Sequence, residues 1–285
     1  MRTQSKLRAG VALLALAAGL MAGATAQAQE QPPPPQQPQQ PPPPTAFGAT
    51  TNQPGPEEVD AYTKIATSKN PDERLTLVQE FLAKYPESLL KGRVYASAAE
   101  AYRMQNKHAQ VIEYGEKAIE DSQGRDAFTM LVVADSLAES ALPIHADYKE
   151  KLAKAEQHAT RALEVLPELF ASMQRRPEVP EEEYARQQRR VEALGHAILG
   201  NVYFRRQEHA KAVAELTKAI ETEGYQPDAV DFQRLGFAHL RQQQLKEAEG
   251  AFQKCVDNGG SAVPDCQKRL DDVRQRLAAQ EQPQP

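Results

Sequence analysis

Between His196 and Val256 one pattern is written twice. His196, Leu199, Gly200 and Tyr203 are followed by Ala212, Leu216 and Ala219; 36 residues further on, Phe232, Leu235, Gly236 and His239 are followed by Ala248, Phe252 and Cys255. An offset held at every one of these positions leaves few architectures open. Within each copy, large residues and Gly or Ala recur at three- and four-residue spacings. That spacing describes two helices in close contact, and a helix pair repeated in register buries its apolar face against its own copy. No run of alternating Val, Ile and Thr competes with this reading, and the abundant Ala, Leu, Glu, Gln, Lys and Arg favour helix. The fold class is therefore all-α, a stack of antiparallel helix pairs.

The residues of both copies resemble the tetratricopeptide repeat, whose pattern is aromatic-x2-Leu-Gly-x2-Tyr followed by Ala-x3-Phe. The resemblance implies a right-handed superhelical solenoid of about five antiparallel helix pairs. Laid on the rest of the chain, it places further units upstream. In one, Tyr95, Ala98, Ala99 and Tyr102 are followed by Val111, Gly115 and Ala118. Gly115 stands where a large side chain fills the groove, so that pair is looser or is compensated from a neighbour. In another, Ala155, Ala159, Ala162, Leu163 and Pro167 match the second helix, Pro167 taking the place of the repeat-ending proline, while Asp135 takes a Gly/Ala position on the first and residues 141–148 enlarge the turn. Asp135 is either redirected to solvent by a shifted helix, the favoured account given the cost of an unpaired buried charge, or it takes a specific partner. The first unit, from Glu57 to Pro86, is degenerate, but Asn70-Pro71-Asp72-Glu73 is a sound helix start: an Asn cap, Pro at the first helical position and Glu three residues after the cap.

Between the third unit and the two regular copies the spacing grows from 36 to 57 residues, Ala162 to Ala219. The insertion predicts a loop ending at Pro180 and a long helix to about Arg206 that overshoots its partner as a spur. Glu182 and Glu183 are placed to pair with Arg186. The basic cluster of Arg186, Arg189 and Arg190 is either a solvated face or a contact for an acidic partner, the solvated face being favoured. Asp265 to Gln280, with Leu270, Val273 and Leu277 on one side, suits a capping helix that closes the stack.

The N-terminus is read as an address. Arg2, Lys6 and Arg8 precede an apolar run from Val11 to Leu20, and Ala26-Gln27-Ala28 is a small-x-small site, which together describe a secretory signal peptide, residues 1–28, cut after Ala28. The run is short and rich in Ala and Gly for a spanning helix, so no membrane insertion is expected after cleavage, and the expected location is periplasmic or secreted. Cleavage removes three positive charges and moves the formal charge from -5 to -8. With no basic stripe, neither nucleic acid nor an anionic membrane surface is an expected partner. Residues 29–56 form a Pro/Gln-rich linker, with nine prolines between Pro32 and Pro44. Such a segment stays extended and serves as an inert spacer, a stalk, or a ligand for a proline-binding groove. The helical domain spans 57–280, and 281–285 is a disordered tail.

Chemistry finds little support. The six histidines form no HExxH motif or i, i+4 pair, so no metal and no cofactor are implied, and no nucleophile or phosphate-loop motif marks an enzyme. Cys255 and Cys266, separated by the turn Asp257-Asn258-Gly259-Gly260, are expected to form a disulfide in an oxidising compartment, two separate reduced thiols being the alternative.

Binding is what the resemblance favours, on an inner surface lined by first helices. The residues it places there include Asn201, Phe204 and Arg205 in one unit and Gln233, Arg234, Phe237 and Arg241 in the next, joined by Leu194, Ala197, Ile198 and Leu240. Apolar side chains flanked by Asn, Gln and Arg suit a protein or peptide partner; packing of Phe204, Phe237 and Leu240 between repeats is the alternative. Some family members grip a peptide's carboxylate with a Lys/Asn/Asn/Lys/Arg clamp. Here Asn201 and Arg234 fit two of its positions in residue type, Ala197 replaces the Lys beside Asn201, and the clamp is incomplete. Phe81-Leu-Ala-Lys-Tyr-Pro86 looks like the segment ending repeats in envelope-assembly proteins of this kind. The function expected is an exported adaptor, monomeric or a weak homo-oligomer; the alternative is a structural protein that self-associates with the proline segment as spacer.

Overall fold

The computed structural model describes residues 53–173 and 175–281, so the expected signal peptide, the proline run and the last four residues lie outside the described residues. Regular structure among the described residues is helical throughout: α1 (Pro56–Thr67), α2 (Pro71–Lys84), α3 (Lys91–Met104), α4 (His108–Asp121), α5 (Ala127–Ser140), α6 (Tyr148–Ser172), α7 (Glu181–Arg205), α8 (His209–Glu221), α9 (Ala229–Arg241), α10 (Leu245–Asn258) and α11 (Val263–Glu281). Each helix packs on the next in chain order, and α1, α3, α5, α7 and α9 also touch in succession, forming a continuous row. Odd-numbered helices up to α9 are thus the first members of packed pairs.

Local chemistry explains the ends. The Asn70 side chain accepts from the Asp72 and Glu73 amides at 2.9 and 3.2 Å, capping α2 as its sequence predicts. Three pairs share one tight turn. The amides of Lys107, Glu208 and Gln244 donate to the carbonyls of Tyr102, Tyr203 and His239 at 3.0, 2.9 and 3.0 Å. The residues just before them, Asn106, Gln207 and Gln243, adopt positive φ of 55°, 63° and 63°. The joint between α5 and α6 is instead the longer stretch 141–147, where Leu142 and Ile144 are exposed.

Side-chain complementarity holds the pairs together. A Cβ added at Gly200 would lie 2.6 Å from Leu216 Cγ, and one at Gly236 would lie 2.7 Å from Phe252 Cε1. Both knobs are fully buried, so each glycine makes room on the first helix for the large residue of the second. The expected gap at Gly115 is filled from outside its own pair: Val133 of α5 lies so close that a Cβ at Gly115 would be 2.2 Å from its Cγ2. Compensation from a neighbour is the outcome.

Two expectations about the middle of the chain are corrected. Helix α6 does not stop at Pro167 but continues through it to Ser172. Pro167 removes one backbone donor, and the extra turn is held by Phe170, which is buried and sets its ring edge-on to Phe128 and Tyr184 at 5.9 and 5.8 Å. Consequently α7 is no unpartnered spur. Its first half lies against this extension, with the Tyr184 hydroxyl donating to the Phe170 carbonyl at 3.0 Å. The basic cluster is engaged inside the molecule as well as with Glu182 and Glu183: Arg189 pairs with Glu223 at 2.9 Å and Arg190 donates to the Gly224 carbonyl at 3.0 Å.

At the C-terminus, Cys255 and Cys266 are joined in a buried disulfide. Leu270 and Val273 of α11 are buried against α10, while the charged residues flanking them, Lys268, Asp271, Asp272 and Arg274, stay exposed. No described helix is long and apolar enough to cross a membrane.

Candidate functional site

The residues expected to face a partner divide into two groups. Asn201 and Arg205, one helical turn apart near the end of α7, and Arg234 on α9 converge on a single carboxylate, Glu139 at the end of α5. Glu139 Oε1 accepts from Asn201 Nδ2 at 3.0 Å and from Arg234 Nη2 at 2.8 Å, and Oε2 accepts from Arg205 Nη2 at 3.2 Å. Arg205 closes the knot by donating from Nε to Asn201 Oδ1 at 3.0 Å and from Nη1 to the Ala141 carbonyl at 2.9 Å.

Asn201 is fully buried and Arg234 nearly so. Burial pushes the Arg205 guanidinium down, and the Glu139 charge opposes that shift. Asp135, half-buried on the same helix, also acts on Arg205, so the carboxylate at the Gly/Ala position has a cation near it. Behind Arg234 lies buried Asp231, whose Oδ1 is 4.0 Å from Arg234 Nη1 and whose Oδ2 accepts from the Tyr225 hydroxyl and the Asp228 amide at 3.0 and 3.2 Å. A network with two cations, three carboxylates and a buried amide ties α5, α7 and α9 together, and removing one partner would leave charge buried without compensation. Ala197 and Ile198 are likewise buried. Sequence reasoning missed Glu139, although a signal was present: Asp135 and Glu139 stand four apart on a helix that otherwise carries nine buried residues.

The second group is half-open. Phe204 and Phe237 bring their rings to 6.4 Å across the α7/α9 contact, and Phe237 sets its ring edge-on to Phe252 at 5.3 Å. Packing between helix pairs is therefore part of their role, yet neither is fully covered. The Arg269 guanidinium of α11 stacks over Phe237 at 5.4 Å, and His209 stands edge-on to Phe204 at 6.3 Å with its pKa lowered by burial and by Arg241. Beyond Arg269 opens a cleft of about 450 Å³ between α9 and α11, with Leu240 and Val273 as its floor and Arg269, Asp272, Gln275 and Arg276 as its rim. Gln233 is tied to Asp265 of the cap at 2.9 Å, and Arg241 is exposed at the end of α9. Arg269 is paired with Asp265 and Asp272, each at 3.7 Å, so the apolar floor can hold an apolar side chain while Arg276 pairs with an adjacent carboxylate.

Among the described residues, no group of three or more His, Cys, Asp or Glu side chains is arranged to hold a metal ion. Comparison with models of protein families and with curated proteins found no match for the chain.

Proposed function

We propose that this protein is an exported adaptor of the tetratricopeptide type, a right-handed superhelical array that binds a protein or peptide segment and carries out no catalysis. The observation that carries the reading is the half-open strip Phe204–Phe237 leading into the cleft between α9 and α11, where apolar floor and arginine rim lie side by side. Repetition of the 36-residue pattern and the shared turn of three helix pairs support the family assignment. The cleft selects an apolar side chain followed by a carboxylate or a backbone carbonyl. The Glu139 knot sets the angle between α7 and α9 and so holds the two phenylalanines in register.

Capture from cell-envelope extract with the chain from residue 29 onward tests this reading. A specific partner is expected, retained far less by a Phe237→Ala, Arg276→Ala double variant of unchanged helicity. Recovery of no specific partner, or equal retention by that variant, would overturn it.

A further inference from the structure

The three helix pairs with the common turn differ in what they present at one set of equivalent positions. In α9/α10 the first-helix aromatic is Phe232, buried, with Lys254 at 5.8 Å from its ring. In α7/α8 the same place is held by His196, bonded to Glu215 at 2.6 Å, and Lys218 also turns to Glu215, at 2.8 Å. In α3/α4 it is Tyr95, and around it lies a row of half-buried phenols: Tyr95 to Tyr114 at 6.2 Å and Tyr114 to Tyr102 at 5.3 Å. Lys117 stands 4.8 Å from the Tyr114 ring and 5.9 Å from that of Tyr95, and Lys107 stands 5.8 Å from Tyr102. Glu113 pairs with Lys117 at 2.8 Å at the edge of the row, which otherwise combines flat apolar faces with hydroxyl and ammonium donors. Its natural complement is a ligand of apolar rings and backbone acceptors without donors, which describes a proline run.

The chain carries such a ligand, and its attachment point is close. We propose that the row Tyr95–Tyr114–Tyr102 is the docking face for this chain's own proline segment, with Pro41 to Pro44 on the rings. Glu57 at the start of α1 meets Lys84 at the end of α2 at 3.4 Å, and the next segment leads straight into α3, so the described chain begins at the same end of the stack as Tyr95. Crossing two helix spacings requires about 20 Å, and the eight residues 45–52 reach about 26 Å when extended. From Tyr95 to Tyr102 the row is about 10 Å long at the helical rise, which an extended proline helix covers in about four residues at its own rise; Pro41-Pro42-Pro43-Pro44 is a run of that length. A tether of this size raises the effective concentration to the order of 1 mM, so weak contacts suffice.

The test uses the chain from residue 29 to the end, with ring-labelled tyrosines followed by NMR. Replacing Pro41 to Pro44 by Gly-Ser-Gly-Ser is expected to shift the rings of Tyr95, Tyr102 and Tyr114 while leaving Tyr184 and Tyr203 in place. A synthetic peptide of residues 38–48 added to the replaced chain restores the shifts, and Tyr95→Ala weakens that peptide about tenfold or more. Lys117→Gln, which keeps every ring, weakens it by a smaller factor and guards against misfolding of the alanine variant. Rings indifferent to the replacement, or peptide binding equal in all variants, would overturn the proposal, as would docking that appears only together with a doubled mass in light scattering, since the segment would then come from a second copy. None of these outcomes depends on the cleft between α9 and α11.

Discussion

Pairs α7/α8 and α9/α10 fill their grooves from within, whereas α3/α4 is filled from next door. Leu216 and Phe252 each press on a glycine of their own pair, Gly200 and Gly236. Gly115 instead admits Val133 from α5. The polar contacts divide in the same way. His196 meets Glu215 across α7/α8 at 2.6 Å, and His158 of α6 meets Glu116 of α4 at 3.0 Å, across the boundary between two pairs. A stack can thus be made of units complete in themselves or of units that complete one another. The first kind localises damage, and the second shares it.

The largest effect that bears on this contrast is expected at Phe252. Phe252→Ala empties the groove of one self-contained pair and should cost about 3–5 kcal/mol, read by denaturant unfolding. Loss of hydrogen-exchange protection should stay within α9, α10 and α11; loss reaching α4 or α5 would break the comparison. Next comes Gly115→Ala, which drives a methyl into the stiff, β-branched Val133 and should cost about 1–3 kcal/mol, with protection lost on both α4 and α5. Val133→Ala should relieve part of that cost, so a double-mutant cycle gives a coupling of about 1 kcal/mol. Additive costs would mean that the two pairs do not share the space.

Acid titration sharpens the polar half of the contrast. Glu215 is held below the usual carboxylate range by its bond from His196 and then by Lys218, and Glu116 by its bond from His158. A depressed folded pKa gives stability that is complete above the unfolded value of about 4.3 and is lost as pH falls through the folded one. Both Glu215→Gln and Glu116→Gln should therefore flatten the loss of stability below about pH 5. Local exchange should respond in α7 and α8 for the first, and in α4 and α6 for the second. The smallest effect is at the shared turn. Gln243→Gly removes a side chain from a positive-φ position and should stabilise by about 0.5–1 kcal/mol, and Gln207→Gly by a similar amount.

The regular pairs were legible because their determinants are local and repeated. Gly200 with Leu216 and Gly236 with Phe252 lie 16 residues apart in each copy, and the Asn70 cap and the Glu182 and Glu183 pairs with Arg186 lie within one helical turn. The disulfide, 11 residues apart across a tight reversal, belongs to the same class. What stayed hidden depends on distant chain segments meeting. Glu139 reaches Asn201, Arg205 and Arg234 across separations of 62, 66 and 95 residues, and no spacing rule extends that far. Pro167 misled for a different reason: its local preference to end a helix is real, and the burial of Phe170 outweighs it. The positive φ at Gln207 and Gln243 escaped because Gln, unlike Gly or Asn, gives no hint of that backbone state, and Asn106 alone of the three carried a signal for the shared turn.

The clip between Cys255 and Cys266 makes the array one-ended. A stack of helix pairs ordinarily frays from both extremities, since each terminal unit has a neighbour on one side only. Here α10 and the root of α11 can separate only by opening together, because the covalent bond survives the loss of either helix. Fraying is thereby biased toward the end that begins at α1, so limited proteolysis of the folded chain is expected to meet a grain, cutting the first helix pair sooner than the bridged junction of α10 and α11.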